Sequence, residues 1–284
     1  MNELKIKGHS GCGLRIIENA GCMFVEKSCN ESYTDRLHKQ YLKQRNAVYM
    51  TQYTGFDVPY PVWTDESTIL MPYIHAMSFI EYFERASKSD IDTLVTDLIK
   101  YICYEYQCSS VKSVSTKVFI DKVNSVNENA KNNPILSQYD ISIVNDECKR
   151  ALDYLYKLNS IDIPVGKCHG DLTFSNILFK SAGKHALIDF LDSFVETPLQ
   201  DIVKIRQDTL YGWSLMMTTQ QYNEAHIKTV LKYIDNKIMN EFTGKEMQYY
   251  NILQYINILR IVPYVKEHKV FERLIEILDS IKLL

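Results

Sequence analysis

"CHGDLTFSNILF", residues 168–179, sets a histidine, an aspartate and an asparagine among apolar residues that read as part of a core. A carboxylate taken out of water without a partner is costly, so His169, Asp171 and Asn176 need something to meet there. Further on, "HALIDF" at 185–190 carries a second aspartate, Asp189, inside an apolar strand-like run, and the turn-like "KSAGK" at 180–184 separates the two stretches. A serine-hydrolase reading of Ser175 with His169 fails, because the residues lack a nucleophile elbow and are too close in sequence to form a triad.

The bulk properties bound what this segment can belong to. At 284 residues the chain is long enough for one large domain or two smaller ones, and 46% hydrophobic with 24% charged residues is the composition of a globular chain, not a disordered one. A formal net charge of −3 argues against a partner that is nucleic acid or a membrane surface, since both favour a basic excess. The start, MNELKIKGHSG, has no apolar h-region, and no run reaches the roughly 18 apolar residues of a membrane span, so the expectation is a cytoplasmic protein. Seven cysteines, scattered and without a C-x-x-C pair, read as reduced thiols in or near the core. The 20 tyrosines are spread along the chain without the aromatic-plus-basic strands of an RNA platform. None of these numbers sets the oligomeric state.

The pattern changes near residue 75. Before it, "ELKIK", "LRIIE" and "CMFVEK" read as strands broken by "GHSGCG" and "NAG". A helix is expected from about Tyr33 to Met50, capped by Ser32 or Thr34, and "VPYPVWT" and "STILMPYI" read as two more strands. After it, residues 90–107 repeat apolar positions at three- and four-residue steps behind a Ser89 cap, 116–130 and 140–158 do the same, and helices resume from Leu199. The predicted fold class is α+β, with a small sheet-bearing part at 1–75 and a larger, mostly helical part at 76–284.

The spacing carries the chemistry. Asp171 and Asn176 are five apart, the same step as the aspartate and asparagine of a kinase catalytic loop, and a strand-borne Asp-Phe follows. A phosphoryl group in transfer needs metal ions, so a carboxylate (Asp189) and an amide oxygen (Asn176) facing Mg2+ are required. It also needs a carboxylate at the acceptor hydroxyl to take its proton, the role offered to Asp171. "HGDLTFSN" with "LIDF" resembles the aminoglycoside phosphotransferase and choline kinase superfamily, the small-molecule branch of the protein-kinase-like fold. The resemblance implies a bilobal arrangement, with His169 bracing the loop and Gly170 letting the backbone turn closely. Leu191 stands where protein kinases carry the glycine of D-F-G, which favours the small-molecule branch.

By element order the resemblance spans residues 4–205. It implies a phosphate-covering loop at "GHSGCG", with Gly11 and Gly13 contacting nucleotide, although Gly8, Gly11 and Gly13 do not make a G-x-G-x-x-G. Lys27, ending the third strand, would meet the α- and β-phosphates. "ILMPYI" would be the hinge, holding adenine through main-chain groups of Met71 and Tyr73, since Pro72 cannot donate. The glutamate that pairs with the strand lysine in active kinases is missing from "SYTDRLHKQYLKQRNAVY"; Asp35 and Gln40 are the nearest candidates.

Near the acceptor, Asp192 and Glu196 read either as binding groups or as solvated loop charges, and Tyr211 and Trp213 as walls. Asp201 at a helix start would brace the catalytic loop, while Lys204 and Arg206 offer a weaker alternative of steering an anionic acceptor. The expected activity is transfer of a phosphoryl group from ATP or GTP, with Mg2+, to a hydroxyl of a small molecule: a sugar, an amino-alcohol such as choline, or an aminoglycoside. The alternative is a nucleotide-binding pseudokinase or scaffold, motivated by the missing glutamate and the irregular glycine spacing.

Overall fold

The structure, a computed structural model, describes residues 4–6, 12–65, 67–138 and 141–283, with the backbone alone described at 4–6, 138 and 246. Five strands come first: β1 (Leu4–Ile6), β2 (Gly13–Asn19), β3 (Cys22–Ser28), then helix α1 (Thr34–Ala47), then β4 (Val62–Asp65) and β5 (Thr68–Pro72). They form one antiparallel sheet in the order β1-β2-β3-β5-β4. The β2–β3 hairpin closes through Ala20 and Gly21, both at positive φ, which is the two-residue turn that matches strand twist. Pro59 and Pro61 keep the expected "VPYPVWT" strand from starting before Val62.

Helices α2 (Phe79–Arg85) and α3 (Lys88–Gln107) follow, then β6 (Ser110–Ser115), α4 (Thr116–Lys131), α5 (Ile141–Leu155) and β7 (Ser160–Val165). The short strands β8 (Ile177–Leu178) and β9 (Ala186–Leu187) precede α6 (Pro198–Thr209), α7 (Trp213–Met216), α8 (Glu224–Glu241), α9 (Tyr250–Leu259) and α10 (His268–Ser280). The chain is thus α+β, with a small antiparallel sheet in its N-terminal region and a larger helical part. Two sequence expectations shift. The cap of α3 is Ser87, not Ser89: its hydroxyl accepts from the Asp90 N–H, while Asp90 accepts from the Ser87 N–H at 2.8 Å, a reciprocal box. The α1 N-cap is Tyr33, and neither Ser32 nor Thr34 caps that helix.

Packing sorts the chain into two units: Met1–Tyr104 with His169–Asp192 and Gln220–Val230, and Glu105–Cys168 with Ser193–Thr219 and Leu231–Leu284. A cut at 75/76 follows element type; the packing units instead place the segment that begins at His169 with the N-terminal sheet. In the first unit an aromatic cluster seats that segment. Phe174 lies edge-on to Phe83 at 4.9 Å, Phe179 stacks on Tyr82 at 4.7 Å, and His185 meets Tyr82 edge-on. Burial pushes the His185 ring below its ordinary pKa, and its Nδ1 accepts from the Lys180 N–H.

The second unit contains the hairpin of β6 and β7 and is built around α9, whose residues other than Asn251 are all buried. Its polar anchor is Arg206. The guanidinium grips both Asp235 oxygens at 2.9 and 3.1 Å and donates to the Tyr250 hydroxyl, with Thr209 closing the set on Asp235. An arginine so used does not steer an acceptor, which corrects that alternative. Arg206→Met should cost about 3–5 kcal/mol in urea unfolding, because it strands a nearly buried carboxylate. Among the described residues no helix is long and apolar enough to cross a membrane.

Candidate active site

The catalytic-loop segment is held by its own histidine. His169 is fully buried; its Nδ1 accepts from the Asp171 N–H at 3.2 Å, so Nε2 carries the proton and donates to the Ile188 carbonyl at 2.9 Å. That single ring joins the residue before Asp189 to the residue at the start of the loop. Gly170 sits at φ 88, where side chains are disfavoured, and a Cβ there would lie 2.0 Å from the Leu191 carbonyl oxygen. The glycine is required for clearance as well as for conformation.

Asn176 gives both amide hydrogens to Asp171, one to its carbonyl at 2.8 Å and one to Oδ2 at 2.9 Å. The amide is therefore fixed in orientation, with its oxygen turned to the opposite side. The Ile188 N–H donates to the Asn176 carbonyl at 3.1 Å, and the next residue is Asp189. Asn176 is thus bonded to Asp171 through its side chain and, through the Ile188 N–H, is tied to the residue that precedes Asp189.

Asp189 stands at φ 62, a left-handed conformation uncommon outside glycine, though aspartate and asparagine adopt it more readily than other residues. Such strain persists where the surroundings over-determine it. Here they do: both backbone groups of Ile188 are bonded to the catalytic loop, and the Leu191 N–H is bonded to the His169 carbonyl at 3.0 Å. The left-handed turn throws the Asp189 carboxylate toward β3, where Oδ1 meets Lys27 Nζ at 2.5 Å.

Lys27 is 6% exposed, and its second partner is the Oε1 of Gln40 at 2.9 Å. The missing glutamate is thus answered by an amide on α1. The exposed Asp35 lies off the buried stripe of that helix, Leu37, Gln40, Gln44 and Ala47. The donor set suits a hard divalent cation: an oriented amide oxygen and a carboxylate with one oxygen left over from Lys27. Among the described residues no three of His, Cys, Asp and Glu gather as ligands, so phosphate and water oxygens would complete the shell of any such ion.

The nucleotide-facing candidates divide. Gly11 lies outside the described residues. Gly13 opens β2 opposite Ser28, and a Cβ there would meet only Ser28 atoms at ordinary distances of 3.5 and 3.9 Å, so the fold itself does not demand glycine. At the hinge, strand register decides which main-chain groups are available. The Tyr73 N–H is consumed by the Met23 carbonyl at 3.0 Å, and Met71 faces Val25 in the same parity. Groups of the opposite parity, the Pro72 carbonyl and the Ile74 N–H, turn away from β3. The Met71 side chain instead packs with Cys12, Leu37 and Ile69.

Among the remaining candidates, Glu196 is a structural acid: its Oε1 accepts from the Ser193 N–H at 2.8 Å and its Oε2 from the Cys168 thiol at 3.2 Å. Asp192 is exposed, and Asp201 is fully buried in the first turn of α6. Lys204 reaches Gln207 at 3.4 Å. Burial pushes the Tyr211 hydroxyl up, and Trp213 opens α7, half-buried. All seven cysteines are free thiols, and burial, with the neighbouring Cys12, raises Cys29.

Two comparisons with known proteins give matches. A family model described as the phosphotransferase enzyme family (APH) matches residues 129–229. Among solved structures, a spectinomycin phosphotransferase in complex with ADP and spectinomycin is 12% identical at a TM-score of 0.60, covering 99% of this chain and 93% of its own. The choline kinase of Streptococcus pneumoniae is 11% identical at a TM-score of 0.60, covering 99% and 94%. An apo thermostable mutant of the aminoglycoside phosphotransferase APH(4)-Ia is 7% identical at a TM-score of 0.62, covering 99% and 94%. A search of curated protein sequences returns no significant match. At such identities the structures show the fold alone, which is kinase-like.

Proposed function

We propose that this chain transfers the γ-phosphoryl group of ATP to a hydroxyl of a small molecule. The observation that supports the reading is the pairing of Asn176 with Asp171 and of Lys27 with Asp189, with the Ile188 N–H tying the two stretches together. ATP is favoured as donor because neighbouring structures hold ATP or ADP. In this reading Lys27 moves from Asp189 to the phosphates, and adenine lies against the Pro72 carbonyl and the Ile74 N–H. Asp171 orients the acceptor hydroxyl and takes its proton as the phosphorus–oxygen bond forms. Asn176 and Asp189 would hold Mg2+, which supplies neutralising charge for the phosphate oxygens. Positioning and charge stabilisation, not covalent catalysis, supply the acceleration.

The acceptor class we favour is a sugar or an amino-alcohol. The neighbours named for spectinomycin and choline support a small polar acceptor, and Glu196 is spent on structure rather than offered to a cation. Use of ATP fits a cytoplasmic site of action. The scaffold alternative loses one of its motives, because Gln40 fills the place of the absent acid.

The test is incubation with Mg·ATP and a panel of amino-alcohols, sugars and aminoglycosides, with product detection by mass. Asp171→Asn should lower transfer by about 10²–10⁴-fold while ATP binding by calorimetry stays near the parent value. ATP binding with no transfer to any acceptor, or transfer indifferent to Asp171, overturns the reading.

A further inference from the structure

Helix α1 sends two side chains into the site. Gln40 meets Lys27, and one turn later Lys43 Nζ donates to the Leu191 carbonyl oxygen at 2.5 Å. The second contact has no counterpart among the sequence motifs. It falls two residues after Asp189, on the backbone group that must stay in place if Asp189 is to keep its left-handed conformation. The Leu191 N–H is already tied to the His169 carbonyl, so Lys43 secures the other side of the same residue. The space it uses exists because position 170 has no side chain: a Cβ on Gly170 would lie 3.2 Å from Lys43 Nζ and 2.0 Å from the Leu191 oxygen.

We infer that Lys43 is a positioning residue for the metal carboxylate: its ammonium clamps the turn that aims Asp189, and so links α1 to the magnesium end of the nucleotide site. The inference rests on the phosphotransferase reading above and adds to it a residue that no motif marks. A charge-assisted bond to a half-buried carbonyl is among the stronger ones available to a turn. Partners that orient a metal ligand characteristically affect metal affinity more than the binding of the rest of the ligand. Without Lys43 the Leu191 carbonyl loses its tie, so the turn that the Ile188 and Leu191 N–H bonds still hold is less firmly fixed and aims the Asp189 carboxylate at a cation less well. Nucleotide contacts made through the hinge are untouched, and Gln40 still holds Lys27 in place.

Titration calorimetry of the full chain with ATP, with and without magnesium chloride, tests this and needs no acceptor. In the parent, magnesium should tighten ATP binding. Lys43→Met should remove at least about tenfold of that magnesium-dependent gain while metal-free ATP affinity changes by less than about threefold. Lys43→Arg, which keeps a charged donor, should restore most of the gain, and Lys43→Gln should recover less. Thermal unfolding of each variant checks that the fold is intact; if the methionine variant does not fold, the arginine and glutamine pair gives the same ordering. An unchanged magnesium gain in Lys43→Met overturns the inference and leaves the phosphotransferase reading standing. An equal loss with and without magnesium also overturns it, since a merely loosened fold would behave so. Failure of the parent to bind ATP removes the phosphotransferase reading, and the inference with it.

Discussion

Asp189→Asn should leave a folded protein whose phosphoryl transfer is reduced by at least about a thousandfold. The substitution is chosen for its backbone: asparagine accepts a left-handed φ readily, so the strained turn at φ 62 survives and the loss is chemical. What disappears is a carboxylate oxygen for the cation, an effect of about 4 kcal/mol, which is three decades in rate. Lys27, nearly buried, is left with neutral amide acceptors alone, that of Gln40 and the one introduced at 189, so unfolding should become easier by about 1–3 kcal/mol. The double variant Lys27→Met with Asp189→Asn should recover part of that stability and none of the activity. Transfer by Asp189→Asn within tenfold of the parent would remove Asp189 from the chemistry.

Gly170→Ala should cost more than any other glycine substitution in the first packing unit whose surroundings are described above. Left-handed backbone alone costs an alanine about 1–2 kcal/mol. Here the added methyl also overlaps the Leu191 oxygen at 2.0 Å, which forces that carbonyl away from Lys43 and sacrifices a charge-assisted bond worth about 1.5–3 kcal/mol. The total is about 2.5–5 kcal/mol, accompanied by loss of transfer. Gly21→Ala is the matched control: φ is 77, but nothing lies within 4 Å, so only the conformational part applies. Equal destabilisation of the two variants in urea titrations would show that clearance at Gly170 plays no part.

Much of the candidate site is local in sequence, and what is local can be proposed from sequence alone. The His-Gly-Asp step, the five-residue distance to Asn176 and the Asp-Phe pair lie within one short span of chain, so composition and spacing were enough to bring them together. The order of strands, glycine-rich break, lysine and helix likewise carried the α+β fold. Gln40 was half legible. Leu37, Gln40, Gln44 and Ala47 follow the three- and four-residue step of one helix face, and that phase selects Gln40 over Asp35. The hinge groups were not, because choosing between Tyr73 and Ile74 requires knowing that Tyr73 pairs with Met23, a register set fifty residues away.

The hairpin of β6 and β7 was missed for a related reason. "SIDIPV" does alternate, with Ile161 and Ile163 fully buried, but its partner "SVKSVS" is mostly exposed and carries little apolar signal. Glu196 and Arg206 show the limit of reading charges by position. Each looked available for an acceptor, and each is saturated by groups that only tertiary folding supplies, a thiol and an amide for one, a carboxylate and a phenol for the other.

The amide at position 40 changes how the resting protein behaves. With a neutral partner there, the ammonium of Lys27 balances its charge against Asp189 alone, so the two groups form a latch in which each masks the other. A polyphosphate arriving by itself would have to leave a carboxylate exposed, and a divalent ion arriving by itself would have to leave an ammonium exposed. A ligand that brings both signs together opens the latch at the least cost, so on the phosphotransferase reading proposed above the metal-loaded nucleotide is the ligand this pair is expected to favour.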